Sequence, residues 1–210
     1  MMGAVWASNM LMQGQNLFGF SWASRERDLK EWVSNLHRIE RGEPVPDDVL
    51  PDVMWADDAD DDRVERLPHL FRACNLLVVS ETLAALLRRF DLGASRLVPV
   101  TLLHRDRTTP YAGTHFILDL RERKEAFEPE HSKRFNRPLL PGHTHLGAVI
   151  GRPQDADISV SAAALAGADV WRDPRLLESL FFSDRLMTAM RTAKVLGGVR
   201  TFRCPVVMVH

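Results

Sequence analysis

The sequence predicts an α+β fold, with a mixed sheet and two similar strand–helix–strand units packed in one domain. The main observation is a repeat, because residues 76–100 and 180–206 carry the same pattern. In each stretch an apolar run ends in Ser, an amphipathic helical pattern follows, Gly closes it, and a second apolar run reaches Pro. Duplication explains this better than coincidence, although a capped helix between two strands is common. The equivalent pairs are Ser80 and Ser183, Leu83 and Leu186, Gly93 and Gly197, and Pro99 and Pro205.

Composition predicts a soluble globular protein of one large domain or two small ones. The 210 residues are 45% apolar and 26% charged, which are ordinary values for a chain with its own core. A net charge of −1 gives no argument for binding nucleic acid or a membrane. No apolar stretch approaches the ~20 residues that span a bilayer, and the start lacks the basic region of a signal peptide. We therefore expect a cytoplasmic protein, with Cys74 and Cys204 as buried, reduced thiols.

The N-terminal part predicts one amphipathic helix. Residues 1–20 suit a strand pair or a partly ordered terminus. Residues 25–41 place apolar side chains at helical spacing, with Ser24 available to cap the start and Gly42 just past the end.

An acidic segment follows this helix, since residues 43–65 carry ten carboxylates and one Arg. We expect residues 1–66 to supply strands, the helix and this acidic loop, either as part of the core or appended to it. Residues 67–210 then form the predicted α+β core.

The first repeat unit is predicted to run from a buried strand through a helix to a second strand. Leu76–Ser80 is an apolar run whose last side chain is placed to cap a helix over residues 82–90. Gly93 suits the end of that helix, because Gly tolerates positive φ. Residues 95–103 form the next strand, and residues 111–120 alternate well enough for another.

The second half is predicted to lead into the second unit through less regular structure. Its elements are a loop or exposed helix (121–136), a strand between turns (138–160), a short helix (162–168), a strand (180–182), a helix (185–194) and a final strand (199–209). We expect the two capped helices to pack on one shared sheet, with their apolar side chains buried. Those side chains are Leu83, Leu86, Leu87, Leu186 and Met190.

Candidate catalytic residues are few. His143 and His145 are two residues apart, so in a strand they share a face and are able to reach one metal. No third ligand has a recognisable spacing, although Asp155 and Asp157 are near in sequence, and the pattern favours a polar turn with two ordinary histidines. The two Ser positions of the repeat lack the Gly-x-Ser-x-Gly pattern of a nucleophile and suit helix caps. We therefore expect neither a catalytic centre nor a cofactor.

The strongest polar signal is an aspartate run beside a tryptophan. Such a run repels itself and is expected to be exposed, but it lacks the spacing of an EF-hand calcium loop. It suits a negative surface that speeds the encounter with a basic partner, and the alternative is a solvated loop. The candidate partner-binding residues are Trp55, Asp57, Asp58, Asp60, Asp61 and Asp62.

The C-terminal block carries a family resemblance. Residues 171–202 read WRDPRLLESLFFSDRLMTAMRTAKVLGGVRTF. They resemble the closing motif of a bacterial immunity-protein family of polymorphic toxin systems, first described as a domain of unknown function and named for a myxobacterial (MXAN) prototype. The matching parts are an aromatic-Arg pair (171–172), a short helix (176–179), an apolar strand ending in Ser (180–183), a helix starting Asp-x-Leu (184–186) and a strand from a Gly (198–202). The resemblance covers residues 67–209. It departs from the family at Lys194-Val195-Leu196 and in the acidic segment.

The resemblance implies an antitoxin-like protein. Such a protein binds a cognate toxin or effector, for example one delivered by type VI secretion, in the cytoplasm and blocks it by steric or electrostatic occlusion without chemistry. It implies a protein partner and neither nucleic acid nor membrane, and it leaves the oligomeric state open. Two alternatives from other classes remain: a small metal-dependent hydrolase that uses His143 and His145, and an adaptor protein of a secretion apparatus.

Overall fold

The structure, a computed structural model, describes residues 4–136 and 147–208 and confirms the α+β class. Within these residues the helices are α1 (Ala23–Arg27), α2 (Leu29–Glu40), α3 (Ala59–Asp62), α4 (Glu81–Leu87) and α5 (Asp184–Thr192). The strands of the N-terminal half are β1 (Val5–Ser8), β2 (Leu17–Phe18), β3 (Phe20–Ser21), β4 (Val53–Ala56), β5 (Leu70–Ala73), β6 (Leu76–Ser80), β7 (Arg96–Leu103) and β8 (His115–Asp119). Those of the C-terminal half are β9 (Phe135–Asn136), β10 (Gly147–Val149), β11 (Val160–Ser161), β12 (Val170–Trp171), β13 (Leu176–Leu177), β14 (Leu180–Ser183), β15 (Phe202–Cys204) and β16 (Val206–Val207). Over the described ranges, no helix combines the length and apolar character needed to cross a membrane.

The larger sheet closes on itself as a small barrel. Its strand order is β2-β5-β6-β8-β7-β4-β3, and only Gly19 separates β2 from β3. The segment 17–21 therefore pairs in parallel with β5 on one side and antiparallel with β4 on the other. Because side chains alternate sides along each strand, one set points inward and fills the barrel. That buried set includes Phe20, Met54, Ala56, Phe71, Ala73, Leu76, Val78, Val100, Leu102 and Ile117.

Helix α2 contributes to the barrel core, but the expected single helix over residues 25–41 is wrong. Trp32 of α2 packs edge-on against Trp22, with ring centroids 4.6 Å apart. Asp28 interrupts the helix, since its backbone is not helical (φ −141°, ψ 86°) and its carboxylate accepts the backbone N–H of Glu31 at 2.9 Å. Asp is as good an N-cap as Ser, and the Asp-x-x-Glu spacing makes residue 28, rather than Ser24, the start of the long helix.

The second sheet has the order β12-β14-β1-β15, and its central strand β1 comes from the N-terminus. Strand β1 runs antiparallel to both β14 and β15. The first unit has the same arrangement, because β8 lies antiparallel between β6 and β7 while β5 borders β6. In each unit a helix thus crosses over one antiparallel strand, and this shared topology confirms the structural repeat.

The repeat unit differs in detail from its prediction. The two helices do not share one sheet, since β6 and β7 belong to the barrel whereas β14 and β15 belong to the second sheet. Pro99 lies opposite Phe116 on the central strand, and the corresponding place in the second unit holds Arg203 opposite Trp6, so the match of Pro99 with Pro205 is wrong. The glycine with positive φ after α5 is Gly198, at +80°, rather than Gly197.

The predicted burial of the two helices is confirmed. Helices α4 and α5 lie in one hydrophobic core between the barrel and the second sheet, which is why separate sheets still bury both helices together. The outward side chains of the barrel in this core are Leu70, Leu77, Val79, Phe116 and Leu118. The helix side chains are Leu83, Leu86, Leu87, Leu186 and Met190, all buried.

A third core covers the opposite face of the second sheet. Phe127 and Trp171 are fully buried there, together with Phe181 and Phe202. Residues 121–134 lack the helix that was one of the two expectations and form extended and turn structure with a 3₁₀ turn at Pro129–His131. The short helix expected over residues 162–168 is a 3₁₀ turn, Ala162–Leu165, whereas residues 176–177 form strand β13 instead of a helix. The final strand is divided into β15 and β16 at Pro205.

Both cysteines are free thiols, but the expected burial is confirmed for Cys204 and wrong for Cys74. Cys204 is buried and Cys74 is partly buried. Burial raises the pKa of both thiols, so neither has the character of a reactive thiolate.

Candidate functional site

The acidic run lies at one end of the barrel, where two parallel strands finish together. Strand β4 pairs in parallel with β7, so residues 57–63 after β4 and residues 104–110 after β7 leave the sheet at the same edge. The start of α1 contributes Arg25 and Glu26 to this edge. We call this group of loops the β4–β7 end.

Trp55 is held in place by two charged side chains of the β4–β7 end. Its indole N–H donates to Glu26 Oε1 at 3.3 Å, and the Arg107 guanidinium carbon lies 4.2 Å from the ring centroid. Arg107 also pairs with Glu26 at 3.1 Å. The Trp55 ring is partly exposed, and these two contacts fix its orientation. Trp and Arg are among the residue types that most often dominate protein interfaces.

The loop that carries Arg107 is ordered by its own hydrogen bonds. Asp106 accepts the hydroxyl of Thr109 and the backbone N–H groups of Thr108 and Thr109, the last two at 2.9 and 2.8 Å. The hydroxyl bond is the largest cause that lowers the pKa of Asp106, and the two backbone bonds add to it. Arg107 has a φ of +59°, which a non-glycine residue rarely adopts. The turn thus holds the guanidinium over Trp55 before any partner binds.

Asp62 has a structural role at the β4–β7 end. One carboxylate oxygen accepts the backbone N–H of Arg105 at 2.8 Å and lies 3.1 Å from His104 Nδ1. The bond from Arg105 is the main reason that the pKa of Asp62 is lowered. The His104 ring in turn stacks on Tyr111 with centroids 3.9 Å apart. Asp62 therefore joins the loop after β4 to the loop after β7.

The other described aspartates of the run, Asp57, Asp58 and Asp60, are more exposed. Asp57 lies 3.7 Å from Arg25, and Asp60 lies 3.4 Å from Arg63. Asp58 accepts the backbone N–H of Asp60 at 2.7 Å at the start of α3, and the side chain of Asp61 lies outside what the structure describes. Exposed ion pairs of this kind contribute little to stability, which leaves these carboxylates available to a partner.

The structure thus brings together Trp55 and the described aspartates, and it adds residues that sequence reasoning missed. Glu26 is 29 positions from Trp55, and Arg107 is 81 positions from Glu26. No local pattern marks such distant pairs. The β4–β7 end also contains Arg25, Arg63 and Arg105, so its charge is mixed rather than purely acidic.

The proposed histidine pair, His143 and His145, lies outside the described residues. The two nearby aspartates have other contacts. Asp155 accepts the backbone N–H of Arg203 at 2.8 Å, and Asp157 pairs with Arg134 at 3.0 Å. Among residues 4–136 and 147–208, no three or more His, Cys, Asp or Glu side chains form a group able to hold a metal ion.

Ser80 and Ser183 are helix caps, as predicted. Their hydroxyls accept the backbone N–H of Leu83 at 3.4 Å and of Leu186 at 3.2 Å. Each Ser hydroxyl also bonds to the residue that precedes the neighbouring strand. In the first unit this residue is His69, just before β5, and its Nδ1 lies 2.7 Å from Ser80 Oγ. In the second unit it is Asp169, just before β12. Because an Asp replaces the His in the second unit, the Ser–His contact reads as part of the repeated junction and not as a catalytic dyad.

Asp169 is the buried charge of the second junction. It accepts hydrogen bonds from Arg185, at 2.6 Å, and from the backbone N–H of Asp91, at 2.9 Å, in addition to Ser183. Burial acts to raise the pKa of Asp169, but these hydrogen bonds outweigh it and the pKa is lowered. The carboxylate therefore stays ionised and ties β12, α5 and the loop after α4 together.

Comparison with known proteins points to one family. A family model described as "Immunity protein family (Imm11)" matches residues 40–200. The match includes both capped helices and the loops after β4 and β7, and it leaves out α1, with Arg25 and Glu26, and the strands β1, β2, β3, β15 and β16. No curated protein matches the chain.

Proposed function

The chain belongs to the Imm11 immunity protein family, and on this premise we propose that it neutralises a cognate secreted protein toxin by binding to it directly. The match over residues 40–200 of the chain is the observation that carries this proposal. In this proposal the chain inhibits the toxin by covering part of its surface and catalyses no reaction. A stable complex of this kind buries about 1,000 Å² or more.

We place the toxin contact at the β4–β7 end. Trp55 is the proposed anchor, because Glu26 and Arg107 already fix its ring and little side-chain entropy remains to be lost on binding. The aspartates of the run, residues 57, 58, 60, 61 and 62, are proposed to contact or steer a basic surface of the toxin. Their proposed effect is mainly on the rate of encounter, since opposite charges accelerate association.

The proposed partner is a toxin of a polymorphic system, delivered by a secretion apparatus and met in the cytoplasm of the producing cell or its kin. We expect a toxin gene directly beside the gene for this chain, whereas a metabolic operon at that place would support an enzyme. The product of the adjacent gene is therefore the probe for the experiment.

Co-expression tests the proposal. The adjacent gene product should arrest growth alone and be tolerated when the chain is co-expressed, and the two purified proteins should elute as one complex. A variant with both His143→Ala and His145→Ala should protect equally well, because no catalytic step is proposed. Absence of a complex would contradict the proposal. It would also be contradicted if the wild-type chain bound about one zinc ion and the double variant lost both the zinc and the protection.

A further inference from the structure

One part of the outer surface of the barrel is less covered by the described elements than the part beneath α4 and α5. Strand β4 alternates between buried Met54 and Ala56 and the partly exposed side chains of Val53 and Trp55. Its neighbour β7 alternates in the same way, with Leu102 buried and Thr101 exposed. Parallel pairing places Val53 beside Thr101 and Trp55 beside Leu103. These four outward side chains, Val53, Trp55, Thr101 and Leu103, form what we call the β4–β7 face.

On another part of the barrel, the outward side chains of the strands are covered by helices. On β6 and β8 the outward side chains Leu77, Val79, Phe116 and Leu118 are buried beneath α4 and α5. On the β4–β7 face Thr101 is exposed, as is Pro99 beside it, while Val53, Trp55 and Leu103 are partly exposed. A mostly apolar sheet surface that stays partly exposed among the described residues is the type that binds a protein partner.

Pro99 limits how a partner can bind. Strand β4 pairs only with residues 101–103 of β7, so β7 extends past β4 at residues 96–100. Proline has no backbone N–H and discourages another strand from adding to such an edge. The surface therefore suits side-chain docking onto the face rather than strand addition.

Charge identifies the chemistry of the partner. Asp52 lies just before β4 and Asp58 just after it, and both are exposed. Neither forms an ion pair within the described residues, whereas Asp47, Asp57 and Asp60 each have an Arg partner. Among the described residues, a carboxylate without an ion-pair partner therefore lies at each end of a short, mostly apolar row.

We infer that the β4–β7 face receives an apolar protrusion of the cognate toxin, flanked on both sides by Lys or Arg side chains. The apolar centre packs on Val53, Trp55, Thr101 and Leu103, and the flanking cations meet Asp52 and Asp58. This inference rests on the proposed function and extends the contact from the loops to the sheet surface. A rigid apolar centre within a charged rim is the usual anatomy of a specific interface.

The test uses two substitutions of the same kind at different places. Thr101→Arg puts a long cation in the middle of the face, and Thr188→Arg makes the same change at an exposed position of α5. Binding of each full-length variant to the purified product of the adjacent gene is measured by calorimetry. We expect Thr101→Arg to weaken binding at least 100-fold and Thr188→Arg to change it less than threefold.

A second variant guards against a folding defect in the first. Asp52→Lys combined with Asp58→Lys changes only exposed residues and should slow association about tenfold at low salt. If the wild-type chain binds and both variants bind equally well, this inference is overturned while the proposed function stands. Failure of the wild-type chain to bind would overturn the proposed function and this inference with it. A free protein that is dimeric and becomes monomeric in Thr101→Arg would assign the face to a second copy of the chain and contradict a toxin site.

Discussion

Trp55 shows at the scale of single residues how a candidate site is completed by distant parts of the chain. Its sequence neighbourhood marked it together with the aspartates, but its orientation depends on Glu26 and Arg107. Trp6 has a similar environment elsewhere, since its N–H donates to Asp184 at 2.8 Å and Arg191 lies 3.8 Å from its ring. A carboxylate and an Arg around a Trp therefore do not identify an interface by themselves. The proposal for Trp55 rests in addition on its place in the partly exposed β4–β7 face.

Trp55→Ala should weaken toxin binding by about 2 kcal/mol or more, roughly a 30-fold change in affinity, because an anchored Trp at an interface centre is a typical hot spot. Calorimetry with the adjacent gene product provides the measurement. Trp6→Ala is the matched control, and it should leave affinity unchanged in protein shown to be folded by circular dichroism. Equal effects of the two substitutions would remove the special role of Trp55.

The elements of the repeat show how far sequence reasoning reaches. The Ser caps at residues 80 and 183 and the burial of both helices follow from local signals, namely a cap residue and helical spacing of apolar side chains. The sheet to which each helix belongs does not follow, because the strand between the repeat strands is β8 in one unit and β1 in the other. Long-range pairing of this kind leaves no periodic signal, and the match of Pro99 with Pro205 was for that reason misleading.

The junction residues His69 and Asp169 were invisible for the same reason. Each lies more than ten positions from the Ser that it contacts. They became recognisable only when the register placed both at the start of equivalent strands. The candidate site was likewise predictable only in part. The acidic run is a local feature of the sequence, whereas the positive charges around it come from the loop after β7 and from α1.

Asp169→Asn should lower the free energy of unfolding by about 2–4 kcal/mol near neutral pH, because buried donors lose a charged acceptor. The pKa of Asp169 is lowered in the folded protein, so its contribution is complete above the unfolded-state value of about 4 and is lost as pH falls through the folded-state pKa. Urea unfolding at pH 6 and pH 3 should therefore show a smaller difference between wild type and variant at pH 3.

Asp60→Asn serves as the control for that experiment. Asp60 is exposed and its pair with Arg63 is at the surface, so the substitution should change stability by less than about 0.5 kcal/mol. A difference for Asp169→Asn that stays constant or grows at pH 3 would contradict the role given to its ionised form.

The whole molecule depends on an N-terminal segment that the family match does not include. Strand β1 is the centre of the second sheet, and the segment 17–21 closes the barrel. Two-residue strands such as β2 and β3 are too short for a hydrophobic pattern, so barrel closure was not predictable from the sequence. Residues 40–200 therefore omit parts of both sheets.

Removal of residues 1–22 should abolish cooperative thermal unfolding, because both sheets lose a strand and the cores are opened. A peptide of residues 1–22 added in trans should restore a cooperative transition, while a scrambled peptide should not. A truncated chain that unfolds cooperatively near the wild-type temperature would show that the segment is dispensable.

Charge steering is also a property of the whole molecule. Replacing Asp57, Asp58, Asp60, Asp61 and Asp62 with Asn should slow toxin association far more than it changes dissociation. The salt dependence of the association rate should flatten as well, because the Debye length falls from about 10 Å at 0.1 M to about 3 Å at 1 M salt. Stopped-flow rates that overlay those of the wild type at both salt concentrations would leave the acidic run as a solvated loop.

Hydrogen–deuterium exchange of the free and toxin-bound chain tests the central claim most directly, since it reports both binding and its location. With the adjacent gene product in excess, we predict slower exchange over residues 53–63 and 100–109, and unchanged exchange over the exposed side of α5. Protection confined to other parts of the chain would contradict the proposed surface. Identical exchange with and without the toxin at concentrations where it is neutralised would contradict direct binding itself.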